Sequence, residues 1–145
     1  MNIALVLKSV IAVFFLMLHP VGVSASDWQS VEKVPSRLAW QIDVSSIKKI
    51  PNGNLTVWNK FVMEPATIER VHKNNPKYKN YSYSLSFWEI DCARKMYNVT
   101  TGIDYSSVGE ISTIYNSNGQ MGPIIPDSTS DAVAEYICNS VEVIY

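Results

Sequence analysis

Two cysteines in the whole chain, set far apart and in segments of different periodicity, constrain this sequence more than any other feature. Cys92 ends the alternating run Tyr81–Cys92. Cys138 sits in DAVAEYICNS, which has helical spacing. The N-terminus sets the redox context. Lys8 precedes the apolar run Val10–Leu18, which His19, Pro20 and Gly22 break, and Val23-Ser24-Ala25 places small residues at a cleavage position. This is a secretory signal peptide over residues 1–25, with a mature domain over 26–145. The apolar run falls short of the roughly 20 residues that span a bilayer. No cysteine stands near the cleavage position to take a lipid, so a soluble exported protein is expected. In an oxidising compartment two cysteines of a small domain usually pair. A Cys92–Cys138 bridge would close a loop of several tens of residues, worth about 4 kcal/mol in the chain-entropy model. The other state is a pair of free thiols. The chain has no Cys-x-x-Cys motif to favour it.

The length suits one domain with a modest core. The formal charge is −1, and loss of Lys8 makes it slightly more negative. A general nucleic-acid binder needs a strong basic excess instead.

Hydrophobic alternation predicts most of the domain. Over Arg37–Val44, Leu38, Trp40, Ile42 and Val44 share one face of a strand. Ser45–Ile50 reads as a short second strand, and Pro51-Asn52-Gly53-Asn54 as a turn. Leu55–Met63 completes a hairpin. In Tyr81–Cys92, Tyr81, Tyr83, Leu85 and Phe87 take one face. Ser82, Ser84 and Ser86 take the other, together with Trp88, Ile90 and Cys92. A bulge near Phe87-Trp88, or a strand covered on opposite sides at its two ends, accounts for the change of character. Either places Cys92 on a buried face. Ala93–Thr100 and Tyr105–Tyr115 read as two further strands with a turn at Gly102–Asp104. Hairpin-length connections imply an antiparallel sheet of an α+β domain.

Glu64–Asn80, with two prolines and three asparagines, reads as a loop with at most a helical turn over Thr67–His72. The last element is a helix to about Asn139. Ser128 is its N-cap and Asp131 lies in its first turn. Val133, Ala134, Ile137 and Cys138 form its apolar stripe. Cys138 therefore faces the sheet.

Trp40, Asp43-x-x-Ser46-Ile47, the Gly53 turn, Val57-Trp58-Asn59-Lys60, Glu89-x-Asp91-Cys92-x-Arg94-Lys95, Gly109, Ile124-x-Pro126-x-Ser128 and Cys138 occur in an order that resembles the surface-adhesin protein E family of small exported bacterial proteins. The resemblance covers most of the mature chain. It implies a strongly bent antiparallel sheet of about six strands, with a C-terminal helix tied to its concave face by the Cys92–Cys138 disulfide. It also implies an adhesin of a Gram-negative bacterium that binds host matrix or plasma proteins such as laminin, vitronectin and plasminogen, and that dimerises. The family's adhesin is lipid-anchored, and this chain has Met121 where an aromatic is expected.

Catalytic patterns are sparse. His72 is the one histidine of the mature chain and is expected to be solvated in the Glu64–Asn80 loop. No nucleophile-elbow, zinc or phosphate-loop motif is present. Glu89 and Asp91 share a strand face about 6–7 Å apart, but Arg94 and Lys95 beside them favour a structural ion-pair role over acid–base work. No cofactor, metal or catalytic residue is expected, and the chain reads as a non-enzymatic binding protein. Its candidate partner site is the basic group Arg70, Lys73, Lys77 and Lys79, and its candidate dimer face is Tyr81, Tyr83 and Phe87. The alternative reading is a soluble periplasmic protein that binds another envelope protein, as inhibitor or assembly factor. The sequons at Asn54, Asn80 and Asn98 are read as outcomes of composition.

Overall fold

The computed structural model describes residues 25–34, 39–109, 111–116 and 119–141. Residues 1–24 of the expected signal peptide, along with Arg37 and Leu38 of the first predicted strand, lie outside the described residues. In chain order the elements are β1 (Trp28–Ser30), β2 (Trp40–Lys49), β3 (Leu55–Phe61), α1 (Pro65–Asn74), a 3-10 turn (Pro76–Asn80), β4 (Tyr81–Asp91), β5 (Met96–Ser106), β6 (Ile111–Asn116), β7 (Gly122–Pro123) and α2 (Thr129–Val141). The first six strands pair in sequence order, each antiparallel to the next, and β7 pairs with β5.

Alternation divides the sheet into two faces. The inner face carries Trp40 and Ile42 of β2, Leu55 and Val57 of β3, and Trp88 and Ile90 of β4. Together with Val31 and Ile124 these meet Val133, Ala134 and Ile137 of α2 in one buried cluster. Trp40 stacks on Phe61 with ring centroids 4.5 Å apart and meets Trp88 edge-on at 5.7 Å. Ser128 caps α2, accepting the N–H of Asp131 at 3.2 Å. The helix thus begins where its N-cap residue predicts and presents the predicted stripe.

Several expectations need correction. Ser45–Lys49 is not a separate strand; it continues β2 past a register shift between Asp43 and Lys48. β5 runs straight through Gly102–Asp104, where a turn was expected. The reversal lies at Cys92–Lys95, with Lys95 at φ 52, and a turn near Gly109 leads into β6. Glu64–Asn80 is ordered: Pro65 starts α1, and Asn75 accepts the N–H of Lys77 to start the 3-10 turn at Pro76. Both prolines occupy first-turn positions, where a missing N–H costs nothing.

The bulge expected near Phe87-Trp88 exists, but β5 carries the extra residue. Phe87 pairs with Thr101 and Trp88 with Val99, so Thr100 is extra and its hydroxyl donates to the Phe87 carbonyl at 3.1 Å. From Tyr83 onward the alternation of β4 is unbroken, and Ser84, Ser86, Trp88 and Ile90 are all buried on the inner face. Cys92 is not buried. It is exposed in the turn after β4, and the bridge joins this turn to α2.

Candidate binding surfaces

The disulfide holds Cys92 and Cys138 with Cα atoms 5.9 Å apart across a sequence separation of 46. Cys138 packs against the core cluster while Cys92 is exposed, so the link runs from the rim of the sheet to the buried stripe of α2. No free cysteine remains.

The basic group lies on α1 and the 3-10 turn rather than in a loop. Arg70, Lys73, Lys77 and Lys79 are all exposed. Lys73 makes a loose i,i+4 pair with Glu69 at 3.8 Å. Between Lys77 and Lys79 the chain turns Tyr78 inward, and its side chain is buried. The Tyr78 hydroxyl donates to Oδ2 of Asp104 on β5, and Ser84 of β4 donates to Oδ1. The buried carboxylate thus ties the cationic segment to the inner face. His72 lies on α1 and is half-buried rather than fully solvated; its Nδ1 is buried and has no hydrogen-bond partner among the described residues.

The candidate dimer face is divided. A bulge between Tyr81 and Tyr83 turns Tyr81 to the inner side, where its hydroxyl lies 2.9 Å from Ser84 Oγ and its ring stacks against Tyr78 at 6.1 Å. Tyr83 and Phe87 stay on the outer face. There Tyr83 stacks on Tyr105 at 4.9 Å and Phe87 leans on Trp58 at 5.0 Å. Lys60 Nζ lies 4.8 Å from the Tyr83 ring and 5.8 Å from that of Trp28, within cation–π range. Sequence reasoning missed Lys60, Tyr105 and Trp28 as members of this band. The signal was the cross-strand register, which single-strand alternation does not supply.

The two carboxylates weighed for acid–base work have separate structural partners. Glu89 accepts from Asn54 Nδ2 at 2.6 Å and Asn52 Nδ2 at 3.1 Å. Asp91 accepts the backbone N–H of Arg94 at 2.8 Å and its Nε at 2.6 Å. The backbone N–H foremost, then the guanidinium, hold the Asp91 carboxyl below its ordinary range, and burial opposes them. Among the described residues no group of three or more His, Cys, Asp or Glu is placed to hold a metal, and no helix is long and apolar enough to cross a membrane. Two of the sequon asparagines, Asn54 and Asn98, are buried.

The described residues thus form a helix-capped antiparallel sheet, stapled at one rim, with exposed cations on α1 and the 3-10 turn and an aromatic band on the outer face. The chain belongs to the surface-adhesin protein E family, whose model matches residues 28–139. Three solved structures of Haemophilus influenzae protein E share the fold. Crystal form II is 16% identical, with TM-score 0.51 over 85% of this chain and 95% of that one. A second structure is 16% identical, with TM-score 0.52 over 85% and 92%. The selenomethionine form is 17% identical, with TM-score 0.52 over 84% and 93%. No curated protein sequence matches this chain. Family membership supports an adhesin-like binding protein.

Proposed function

We propose that this is an exported, non-enzymatic adhesin-like protein that recognises a host matrix or plasma protein through Arg70, Lys73, Lys77 and Lys79. The observation that carries this reading is the anchoring of Tyr78 on Asp104. It fixes the 3-10 turn that carries Lys77 and Lys79, so their presentation needs less ordering on binding. The test is binding of the oxidised protein to immobilised laminin, vitronectin and plasminogen, with a salt titration and a variant neutralised at Lys73, Lys77 and Lys79. Saturable binding weakened by salt and by the variant supports the reading. Binding at background level to all three overturns it and favours a periplasmic partner, which cell fractionation then tests.

The outer-face pairs Tyr83–Tyr105 and Trp58–Phe87 favour a second reading, weak homodimerisation through this band, because apolar surface left on one sheet face marks interfaces. Tyr81 takes no part in it. A strictly monomeric mass across micromolar concentrations overturns this reading.

A further inference from the structure

Among the described residues, the edge of the sheet at β1 combines backbone groups without a strand partner with an adjoining cleft. In the β1–β2 ladder the Val31 N–H donates to the Trp40 carbonyl at 2.9 Å, and the Val44 N–H to the Asp27 carbonyl at 2.8 Å. The register pairs Gln29 with Ile42. Asp27, Gln29 and Val31 therefore turn their backbone groups toward β2. By the alternation of antiparallel ladders, Trp28 and Ser30 turn theirs outward. Those groups lie about 7 Å apart, the repeat of any extended chain. Gln29 and Ser30 are exposed, and β1 is the terminal strand of the pairing order.

Beside this edge a cleft of about 590 Å³ opens between the chain after β1 and the flank of α2. Val31 and Lys33 line one wall, and Ala132, Glu135, Tyr136 and Asn139 the other. Two contacts brace the walls: Lys33 Nζ meets Glu135 Oε1 at 3.0 Å, and the Tyr136 hydroxyl donates to Gln29 Oε1 at 2.7 Å. Gln29, through Tyr136 of α2, and Val31, in the core cluster, both face inward. A residue of an added strand lying opposite either one points to the same face, toward this cleft.

We infer that β1 is a strand-addition site for an extended segment of a partner protein. The backbone of that segment pairs with Trp28 and Ser30, and one of its apolar side chains enters the cleft against Val31, Ala132 and the Tyr136 ring. Main-chain pairing supplies affinity and the cleft supplies side-chain choice. The site is separate from the cationic ridge and does not depend on it.

The test selects a phage-displayed decapeptide library on the oxidised protein, then measures enriched synthetic peptides by fluorescence anisotropy and amide hydrogen exchange. The expected peptides alternate apolar and polar residues and slow exchange at the Trp28 and Ser30 amides. Ser30→Pro removes an outward donor without touching the bonds to β2, and edge strands tolerate proline. It weakens binding by about ten-fold or more. Asn139→Trp, which narrows the cleft from an exposed position, weakens binding as well, and so keeps the proposal testable if the proline variant folds poorly. Neutralising Lys73, Lys77 and Lys79 leaves binding unchanged. Failure to enrich any peptide, protection confined to other amides, or full binding by both variants overturns the proposal. So does self-association that Ser30→Pro abolishes, because the edge would then belong to a second copy of this chain.

Discussion

The hydroxyl of Tyr78 reaches the carboxylate of Asp104 from a 3-10 turn that sequence reasoning assigned to a loop. The contact joins an exposed cationic segment to a buried position on β5, where Asp104 is 6% exposed. Tyr78→Phe keeps the ring against Tyr81 but leaves the carboxylate with fewer donors. Loss of one partner from a buried group costs about 1–3 kcal/mol. The expected outcome is a lower urea midpoint, with hydrogen exchange quickened chiefly over 65–80. Equal exchange there in both proteins would show that the tyrosine does not anchor the segment.

Removing the bridge tests the staple. Cys92→Ser with Cys138→Ala frees a loop whose ends are 46 residues apart, at a cost of about 2–5 kcal/mol. Because Cys92 is exposed, a dithiol reductant should lower the thermal midpoint of the native protein by a similar amount without prior unfolding. An unchanged midpoint would mean that the packing of α2 alone sets stability.

The elements that sequence alone revealed are those with a single governing period. The β4 alternation from Ser84 to Ile90 and the α2 stripe from Val133 to Cys138 are each recorded locally, in the spacing of apolar residues, and both hold in the structure. α1 was missed because Pro65, Pro76 and the asparagines read as loop residues, while in place they start two helical segments. The turn expected at Gly102 was missed for a different reason. Gly102 lies opposite Ser86 inside a continuous strand, and nothing in its neighbours along the chain distinguishes that from a turn. Of the candidate surfaces, the cations were legible as a group. The inward turn of Tyr81 was not, because it depends on a bulge set by cross-strand register.

Acid pH should act through Asp91. Arg94 holds its folded-state carboxyl below the ordinary value of 3.8, so the ionised carboxylate stabilises the fold. That contribution is fully present above the unfolded-state value. It is lost as pH falls from there through the lower folded-state value. Asp91→Asn should flatten this part of the stability profile, followed by urea midpoints in acid. Arg94→Ala should retain much of it, since the foremost cause is the backbone N–H of residue 94. A slope abolished by Arg94→Ala would reassign the effect to the guanidinium.

Ile137 and the disulfide hold the same helix by different means, which makes their combination informative. Ile137 is fully buried, so Ile137→Ala should cost about 2–5 kcal/mol through lost burial and a residual cavity. α2 has 13 residues, which is marginal for an isolated helix in water. While the bridge is intact, the truncated helix stays tethered near the sheet and recaptures its remaining contacts through Val133 and Ala134. Once the bridge is reduced, those contacts alone must offset the entropy of docking. The two changes share one element and should not add. The expected result of a double-mutant cycle in denaturant is a combined loss that exceeds the sum of the single losses, with amide exchange over 129–141 rising before that of β3 and β4. Simple additivity with uniform exchange would show that α2 unfolds only with the whole domain, and that the staple acts on the unfolded chain alone.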